Sequence, residues 1–203
     1  MSINLVKGDK INLSKQRNGL SKVMVGLGWD EVEKTGFLGL TRSVPQDIDC
    51  DAFAILLDYD GYLINQNSVK ECTVFFANLS WPGGSIQHMG DNLTGAGEGD
   101  DEQIFVDLDA VTNNIGAIVF AVNIYEAFKR KQHFGMIRNA FIRVVDYDLQ
   151  TELCRFNLSE NYSGKTALIA GGLIRTEDGW DFMTDGASYE ARDITDVVSL
   201  FLR

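Results

Sequence analysis

The sequence has few of the residues that build zinc, disulfide and catalytic sites. Its 203 residues include two histidines, His88 and His133, and three cysteines that form no CxxC pair. This usage indicates neither a disulfide framework nor a zinc site, and it predicts reduced, buried thiols in a cytoplasmic protein. The motifs GxSxG, HExxH and GxxxxGK[ST] are also absent, so the familiar hydrolase and nucleotide-binding signatures give no support for an enzyme.

Positive charge and long apolar runs are scarce as well. The chain carries 18 Lys and Arg against 29 Asp and Glu, for a formal net charge of -11. That field opposes direct contact with nucleic acid or an anionic membrane. No run approaches the roughly 18 apolar residues of a spanning helix, and the start, MSINLVKGDK, is too polar for a signal peptide. We therefore expect no membrane insertion and no direct contact with nucleic acid.

The short apolar runs that do occur are typical of β-strands. They alternate with Gly, Asn and Asp turn signals, and the chain has only two prolines and no low-complexity linker. This pattern predicts a mainly β fold, a two-sheet β-sandwich in a single domain over residues 1–203. The predicted strands are Lys22–Leu27, Asp49–Leu57, Cys72–Ala77, Ile104–Leu108, Ala117–Ile124, Ala140–Val145, Leu153–Asn157, Leu168–Arg175 and Trp180–Met183.

Two short helices and one loop complete the predicted architecture. The segment Glu126–His133 is charged and of helical composition. Near the C-terminus, Ile194, Val197, Val198 and Phe201 lie at i, i+3, i+4 and i+7, which predicts an amphipathic helix that caps the sandwich. The segment Glu31–Gln46 contains two glycines among apolar residues and is predicted to be a loop or a small subdomain excursion.

The stretch GDNLTGAGEGDDE, Gly90–Glu102, concentrates negative charge in one loop. It holds five carboxylates and four glycines and has no Lys or Arg. Ionised carboxylates held this close together repel each other unless they are solvated, protonated or share a cation. The alternating glycines favour the cation, because they let the backbone turn its carbonyls inward. Since every candidate ligand is an oxygen and the loop is flexible, we favour Ca²⁺ over Mg²⁺ or zinc.

The loop is not an EF-hand. Asp91 and Glu102 fall at positions 1 and 12 of such a loop, but Leu93 and Gly95 stand at positions that need oxygen ligands. A second acidic segment, DIDCD at Asp47–Asp51, alternates acid and apolar residues, so that in a strand its acids share one face and Cys50 faces inward. Two such segments at one rim of a sandwich could enclose one or two ions.

Four motifs resemble the TerD family of bacterial tellurium-resistance and general-stress proteins. They are VGLGWD at Val25–Asp30, DIDCDA at Asp47–Ala52, GDNLTGAGEGDDEQ at Gly90–Gln103 and FGMIRNAFIRVVD at Phe134–Asp146. The opening, INLVKGDKINLSK, is similar too. The chain departs from the family pattern at Phe53, where Ser is common, and at Met89, where Thr is common.

The resemblance implies a β-sandwich that binds Ca²⁺ through acidic loops and has no established enzymatic activity. It also implies cytoplasmic stress-response and tellurite-resistance proteins as partners. Transferred by motif, the implied metal ligands are Asp47, Asp49, Asp91, Asn92, Asp100, Asp101 and Glu102, with Asp30 and Glu126 also at family positions near the site.

Three functions remain open from the sequence. The first is a non-enzymatic calcium-binding protein of the stress and tellurite-resistance type, whose acidic loops order around one or two ions and present a surface to a partner. The second is a metal-dependent hydrolase that uses the acidic cluster. The third is tellurite chemistry at thiols, which buried cysteines in acidic surroundings disfavour.

Overall fold

The computed structural model describes residues 2–31, 48–90, 99–158 and 162–203. In these ranges twelve strands form two six-stranded sheets, and three short α-helices accompany them. The helices are α1 (Leu13–Gln16), α2 (Ala127–Arg130) and α3 (Ile194–Val198). The strands are β1 (Ile3–Leu5), β2 (Lys10–Asn12), β3 (Lys22–Glu31), β4 (Cys50–Leu57), β5 (Thr73–Val74), β6 (Ile86–His88), β7 (Glu102–Asp107), β8 (Ala117–Ile124), β9 (Ile137–Asp146), β10 (Thr151–Asn157), β11 (Ala167–Thr176) and β12 (Gly179–Tyr189).

Each sheet has six strands and carries an N-terminal strand at one edge. Sheet 1 runs in the order β1–β10–β9–β3–β7–β6, and sheet 2 runs β2–β12–β11–β8–β4–β5. The β1–β10 pair is parallel, and the other neighbouring pairs are antiparallel. The N-terminal residues thus supply an edge strand to each sheet. The predicted mainly β, two-sheet sandwich with short helices is confirmed.

Alternating side chains of both sheets form the main core. In β3, Val23, Val25 and Leu27 point between the sheets, because side chains along a strand alternate in direction. In β4, Cys50 and Ala52 point into the same core. All three cysteines are buried and free, as the sequence predicted.

The outer face of sheet 2 is buried too, which explains why β4 is apolar on both sides. Phe53 and Ile55 point away from the main core and join a second cluster with Val197 and Val198 of α3. The predicted C-terminal amphipathic helix is therefore present and covers this face. Asp193 caps it by accepting a hydrogen bond of 3.1 Å from the backbone N–H of Asp196.

Some predicted boundaries are wrong for identifiable reasons. The predicted strand Cys72–Ala77 shrinks to β5, because Phe75 and Asn78 close a tight turn through two reciprocal backbone hydrogen bonds of 3.1 and 2.9 Å. The predicted helix Glu126–His133 shrinks to α2, because Glu126 and Lys131 at its two ends adopt left-handed backbone conformations. Strands β1, β2 and β6, with three residues each, were not predicted.

Other predictions concern residues that are only partly described. Of the predicted loop Glu31–Gln46, residues 32–46 lie outside the described ranges. No helix in the described part of the chain has the length and apolar character needed to cross a bilayer.

Candidate metal centre

Acidic residues from four chain segments converge at one end of the sandwich. Asp30 lies near the end of β3, Asp49 directly precedes β4, and Glu126 lies two residues after the end of β8. The triplet Asp100–Glu102 leads into β7. The pairing of Leu27 with Glu102 joins two of these points in sheet 1, and the pairing of Cys50 with Ile124 joins the other two in sheet 2. The hydrogen bond from the backbone N–H of Ala52 to Glu102 connects the two sheets at this end. Three further predicted ligands lie outside the described residues: Asp47, Asp91 and Asn92.

Glu102 points inward and links the two sheets. Its side chain is 1 % exposed, and its Oε2 lies 2.8 Å from His88 Nε2. The same oxygen accepts a hydrogen bond of 3.2 Å from the backbone N–H of Ala52 in sheet 2. Since β5 is too short to pair with this part of β4, Glu102 and His88 satisfy an otherwise unpaired strand edge. The carboxylate is held in place by groups from both sheets.

The tautomer of His88 follows from its neighbours. The backbone N–H of Gly90 donates to Nδ1 over 3.3 Å, so Nδ1 is an acceptor. Nε2 then carries the hydrogen in the neutral ring, and it faces both Glu102 and the carbonyl oxygen of Ala52, at 3.1 Å. This buried histidine therefore has a structural role at the root of the acidic loop.

Asp100 lies flat against the outer face of sheet 1. Arg143 of β9 binds it through two hydrogen bonds, Nε to Oδ1 at 2.7 Å and the terminal nitrogen to Oδ2 at 2.9 Å. Gln103 adds a third, to Oδ2 at 3.3 Å. The carboxylate rests over Gly26, where any Cβ would overlap it. The glycine thus makes room for the buried side chain.

Asp101 continues the attachment of the loop to β3. Its backbone N–H donates to the carbonyl of Leu27 over 2.8 Å, and its Oδ2 accepts from the backbone N–H of Trp29 over 2.7 Å. A Cβ on Gly28 would lie 2.6 Å from the carbonyl oxygen of Gly99 and 2.5 Å from the ring of Phe141. Both glycines of the GLG motif therefore serve the close approach of the loop to the sheet.

Burial and charge crowding act on Asp101 together. Desolvation raises the pKa of Asp101 above its usual value, and the charges of Asp30, Asp100 and Glu102 raise it further, against the hydrogen bond from Trp29. A bound cation would lower the pKa of Asp101, because it stabilises the ionised carboxylate. The electrostatic environment of Asp101 therefore favours positive charge.

Asp30 is attached to a bulge of the neighbouring strand. Its Oδ2 accepts a hydrogen bond of 2.7 Å from the side-chain amide of Asn139. Asn139 has a left-handed backbone, with φ of 52°, where the register of β3 against β9 shifts. Such bulges redirect side chains, and this one brings Asn139 to Asp30.

Asp49 and Glu126 form the other side of this end, on sheet 2. The carbonyl of Asp49 accepts from the backbone N–H of Tyr125 over 2.7 Å, which fixes the two segments side by side. Arg130 reaches both carboxylates, at 3.6 Å from Asp49 and 3.8 Å from Glu126. Lys129 binds Glu126 at 2.8 and 2.9 Å, and this contact lowers the pKa of Glu126.

Cys50 lies within electrostatic range of both acidic segments. Burial raises the pKa of its thiol well above the usual value, and Asp51, Asp49, Glu102 and Asp101 raise it further. Burial likewise raises the pKa of Cys154 to about 12. These thiols remain protonated at neutral pH, so they are poor nucleophiles.

The donor chemistry fits a hard cation. The converging side chains offer carboxylate oxygens, which Ca²⁺ prefers, and a carboxylate bonded to one donor keeps further lone pairs. Within residues 2–31, 48–90, 99–158 and 162–203, no three His, Cys, Asp or Glu side chains are already arranged to hold a metal ion. Residues 91–98 of the acidic loop lie outside these ranges.

Several residues of this site were not predicted from the sequence. His88, Asn139 and Arg130 bind candidate ligands from distant points of the chain. Arg143, which binds Asp100, was also not among the predicted site residues. One usable signal was present, because glycines inside a strand, as in GLGWD, indicate that another part of the chain approaches closely.

Known proteins resemble this chain over nearly its full length. The TerD domain model matches residues 1–201. The stress response protein SCP2 of Bacillus subtilis (strain 168) is 45% identical over 100% of both chains. The tellurium resistance protein TerD of Serratia marcescens is 40% identical over 93% of this chain and 92% of its own.

A solved structure supports the fold. The crystal structure of a protein of unknown function, SAV2460, superposes with a TM-score of 0.66 at 22% identity, covering 92% of this chain and 99% of that one. The family model and both relatives match the chain over almost all of its length. The chain therefore belongs to the TerD family.

Proposed function

We propose that this protein is a non-enzymatic, cytoplasmic calcium-binding protein of the stress-response and tellurite-resistance type. The observation that carries the proposal is the convergence of Asp30, Asp49, Asp100–Glu102 and Glu126 at one end of the sandwich. The charges of Asp30, Asp100 and Glu102 disfavour the ionised form of Asp101 in the absence of an ion, so a divalent cation is favoured there.

One or two Ca²⁺ ions would be held by oxygens of the acidic loop and of the segment before β4. The proposed ligands include Asp49, Asp100, Asp101 and Glu102. The family motif adds Asp47, Asp91 and Asn92. Asp30 and Glu126 flank them. When bound, the ion supplies positive charge that offsets the carboxylates.

The residues that already bind these carboxylates have a positioning role in the proposal. Arg143 and His88 hold the end of the loop against sheet 1, so that Asp100 and Glu102 are already in place when the ion binds. An attachment of this kind lowers the conformational entropy that binding must overcome. The ordered loops would then present a surface to other stress-response or tellurite-resistance proteins.

Titration calorimetry tests the proposal directly. Chelator-stripped protein should give saturable heat with CaCl₂ and much weaker heat with MgCl₂, since Mg²⁺ demands a stricter geometry. Asp101→Asn should weaken calcium binding about tenfold or more. Asp109→Asn, which makes the same charge change at an exposed position past the far end of β7, is the matched control. Wild-type protein without calcium heat would refute the proposal.

A further inference from the structure

An exposed aromatic and basic surface lies beside the candidate metal centre. Phe128, in the middle of α2, is 55% exposed. Lys129 and Arg192 flank it with side chains that are 75% and 80% exposed. Together with Glu126 they line a shallow, largely apolar depression of about 470 Å³. We call these four residues the α2 surface.

The backbone gives the α2 surface a defined shape. Glu126 and Lys131, at the two ends of α2, have φ angles of 49° and 56°. Left-handed conformations are costly for such residues and persist only where the surrounding structure imposes them. The N–H groups that follow the helix satisfy its last carbonyls, with Gln132 donating to Ala127 over 2.9 Å. Phe128 therefore lies on a short helix with a left-handed residue at each end.

The basic side chains of the α2 surface, and the neighbouring Arg130, are bound to acidic residues of the chain. Lys129 donates to both carboxylate oxygens of Glu126, and Arg130 lies near Glu126 and Asp49 while it covers the ring of Tyr125 at 5.0 Å. Glu126 is thus shared between the α2 surface and the candidate metal centre. A cation that bound Glu126 would neutralise its carboxylate and leave Lys129 and Arg130 available for other anions.

We propose that the α2 surface binds an acidic, aromatic-containing segment of another protein, and that Glu126 keeps it closed until a cation neutralises this carboxylate. The cation-dependent opening rests on the proposed calcium function; the surface itself does not. Charge complementarity selects the occupant, because neutralising Glu126 leaves the positive charge of Lys129, whose side chain is 75% exposed, uncompensated by Glu126, while Arg192 stays bound to Asp196 at 2.7 Å. An exposed aromatic ring between cations is a typical anchor for a peptide.

An anionic membrane surface is the less suitable occupant. The chain carries a net charge of -11, so an extended negative surface would meet repulsion from most of the molecule. A single acidic segment needs to approach only the local positive charge. The proposal therefore commits to a protein segment.

The variant Glu126→Gln tests peptide binding by the α2 surface without any need for a cation. This variant removes the charge that binds Lys129, so it should bind a fluorescein-labelled peptide of alternating Glu and Phe residues even in the presence of a chelator. Wild-type protein in chelator should bind the same probe about tenfold more weakly. Wild-type protein in CaCl₂ should approach the affinity of the variant. Fluorescence anisotropy at constant ionic strength measures all three.

Two further substitutions test the chemistry of the surface. In the Glu126→Gln background, Phe128→Ala and Lys129→Ala should each weaken probe binding about tenfold, as expected for anchor residues. Lys15→Ala, at another exposed lysine that lies 3.8 Å from Asp178, is the matched control and should change nothing. Circular dichroism confirms that each variant is folded.

The outcomes distinguish the two proposals. If Glu126→Gln gains no affinity for the probe, or binds a Gln–Phe peptide equally well, the α2 surface is not a site for acidic segments. Binding of anionic vesicles without binding of the peptide also overturns it. If the variant binds the peptide while CaCl₂ leaves wild type unchanged and gives no heat, the surface stands and the calcium function fails.

Discussion

Gly26 and Gly28 allow the acidic loop to lie directly on sheet 1. Asp100 occupies the space over Gly26, and Gly99 and Phe141 occupy the space over Gly28. The side chain of Asp100 is fully buried as a result, with Arg143 as its counter-ion. The loop can pack on the sheet only because glycines stand at these two positions. This requirement does not depend on the negative charge of the loop.

Gly26→Ala should therefore destabilise the protein. The new methyl group overlaps the Asp100 carboxylate, and forced overpacking of this kind costs about 2 kcal/mol in the free energy of unfolding. Urea denaturation measures it. In an Asp100→Ala background the same substitution should cost much less, because its obstacle is gone. Equal costs in both backgrounds would show that the glycine serves another purpose.

Arg143→Met should have a larger effect. It leaves the buried Asp100 carboxylate without its counter-ion, and breaking such a pair from one side costs about 3 kcal/mol. The double variant Arg143→Met/Asp100→Asn removes the unpaired charge, so it should be more stable than Arg143→Met alone. If both unfold at the same urea concentration, Asp100 does not depend on Arg143.

Helix α3 is the element whose stability is most clearly tied to pH. Hydrogen bonds from the Arg192 side chain and backbone lower the pKa of Asp196 from 3.8 to about 2. A lowered folded-state pKa means that the ionised form stabilises the native state. This contribution is fully present above pH 3.8 and is lost as the pH falls towards 2.

Acid titration should therefore loosen α3 between about pH 4 and pH 2. Near-UV circular dichroism does not isolate this helix, so we suggest following the Val197 and Val198 methyl resonances by NMR. Arg192→Gln, which removes the guanidinium charge and its paired donors, should move the transition to higher pH. An unchanged midpoint in that variant would mean that Asp196 does not control the helix.

The elements that sequence patterns predicted best are those with many apolar residues. Strand β8 was predicted with its observed boundaries, Ala117–Ile124. Strands β1, β2 and β6 were missed because three residues carry too little periodicity, and β1 and β2 also pair with strands far along the chain. Helix α2 was overestimated because local composition cannot reveal a left-handed residue at each end.

At the level of the whole molecule, the sequence pointed to two acidic segments but not to how each carboxylate is held. Asp49 and Asp101 act on the same thiol, Cys50, as the proximity of the two acidic segments required. The partners of these acids, such as Arg143 for Asp100 and His88 for Glu102, depend on strand register across the sheets. Register follows from tertiary packing, and no spacing within one segment encodes it.

Calcium should raise the melting temperature of the whole domain. If the ion binds only the native state, an excess of 100 times Kd adds about 2.7 kcal/mol, which corresponds to about 5–10 °C for a domain of this size. Differential scanning fluorimetry of chelator-stripped protein measures it. NaCl at the same ionic strength controls for simple screening of the net charge of -11. An equal rise in NaCl would speak against specific binding.

The first two strands lie at the edges of different sheets, and their partners come late in the chain. Strand β1 needs β10 and β2 needs β12, so neither edge can close until residues 151–157 and 179–189 have left the ribosome. During synthesis both half-built sheets therefore expose strands with unpaired backbone groups, which are prone to intermolecular pairing. The exposure of these unpaired edges should thus be greatest just before residues 179–189 emerge.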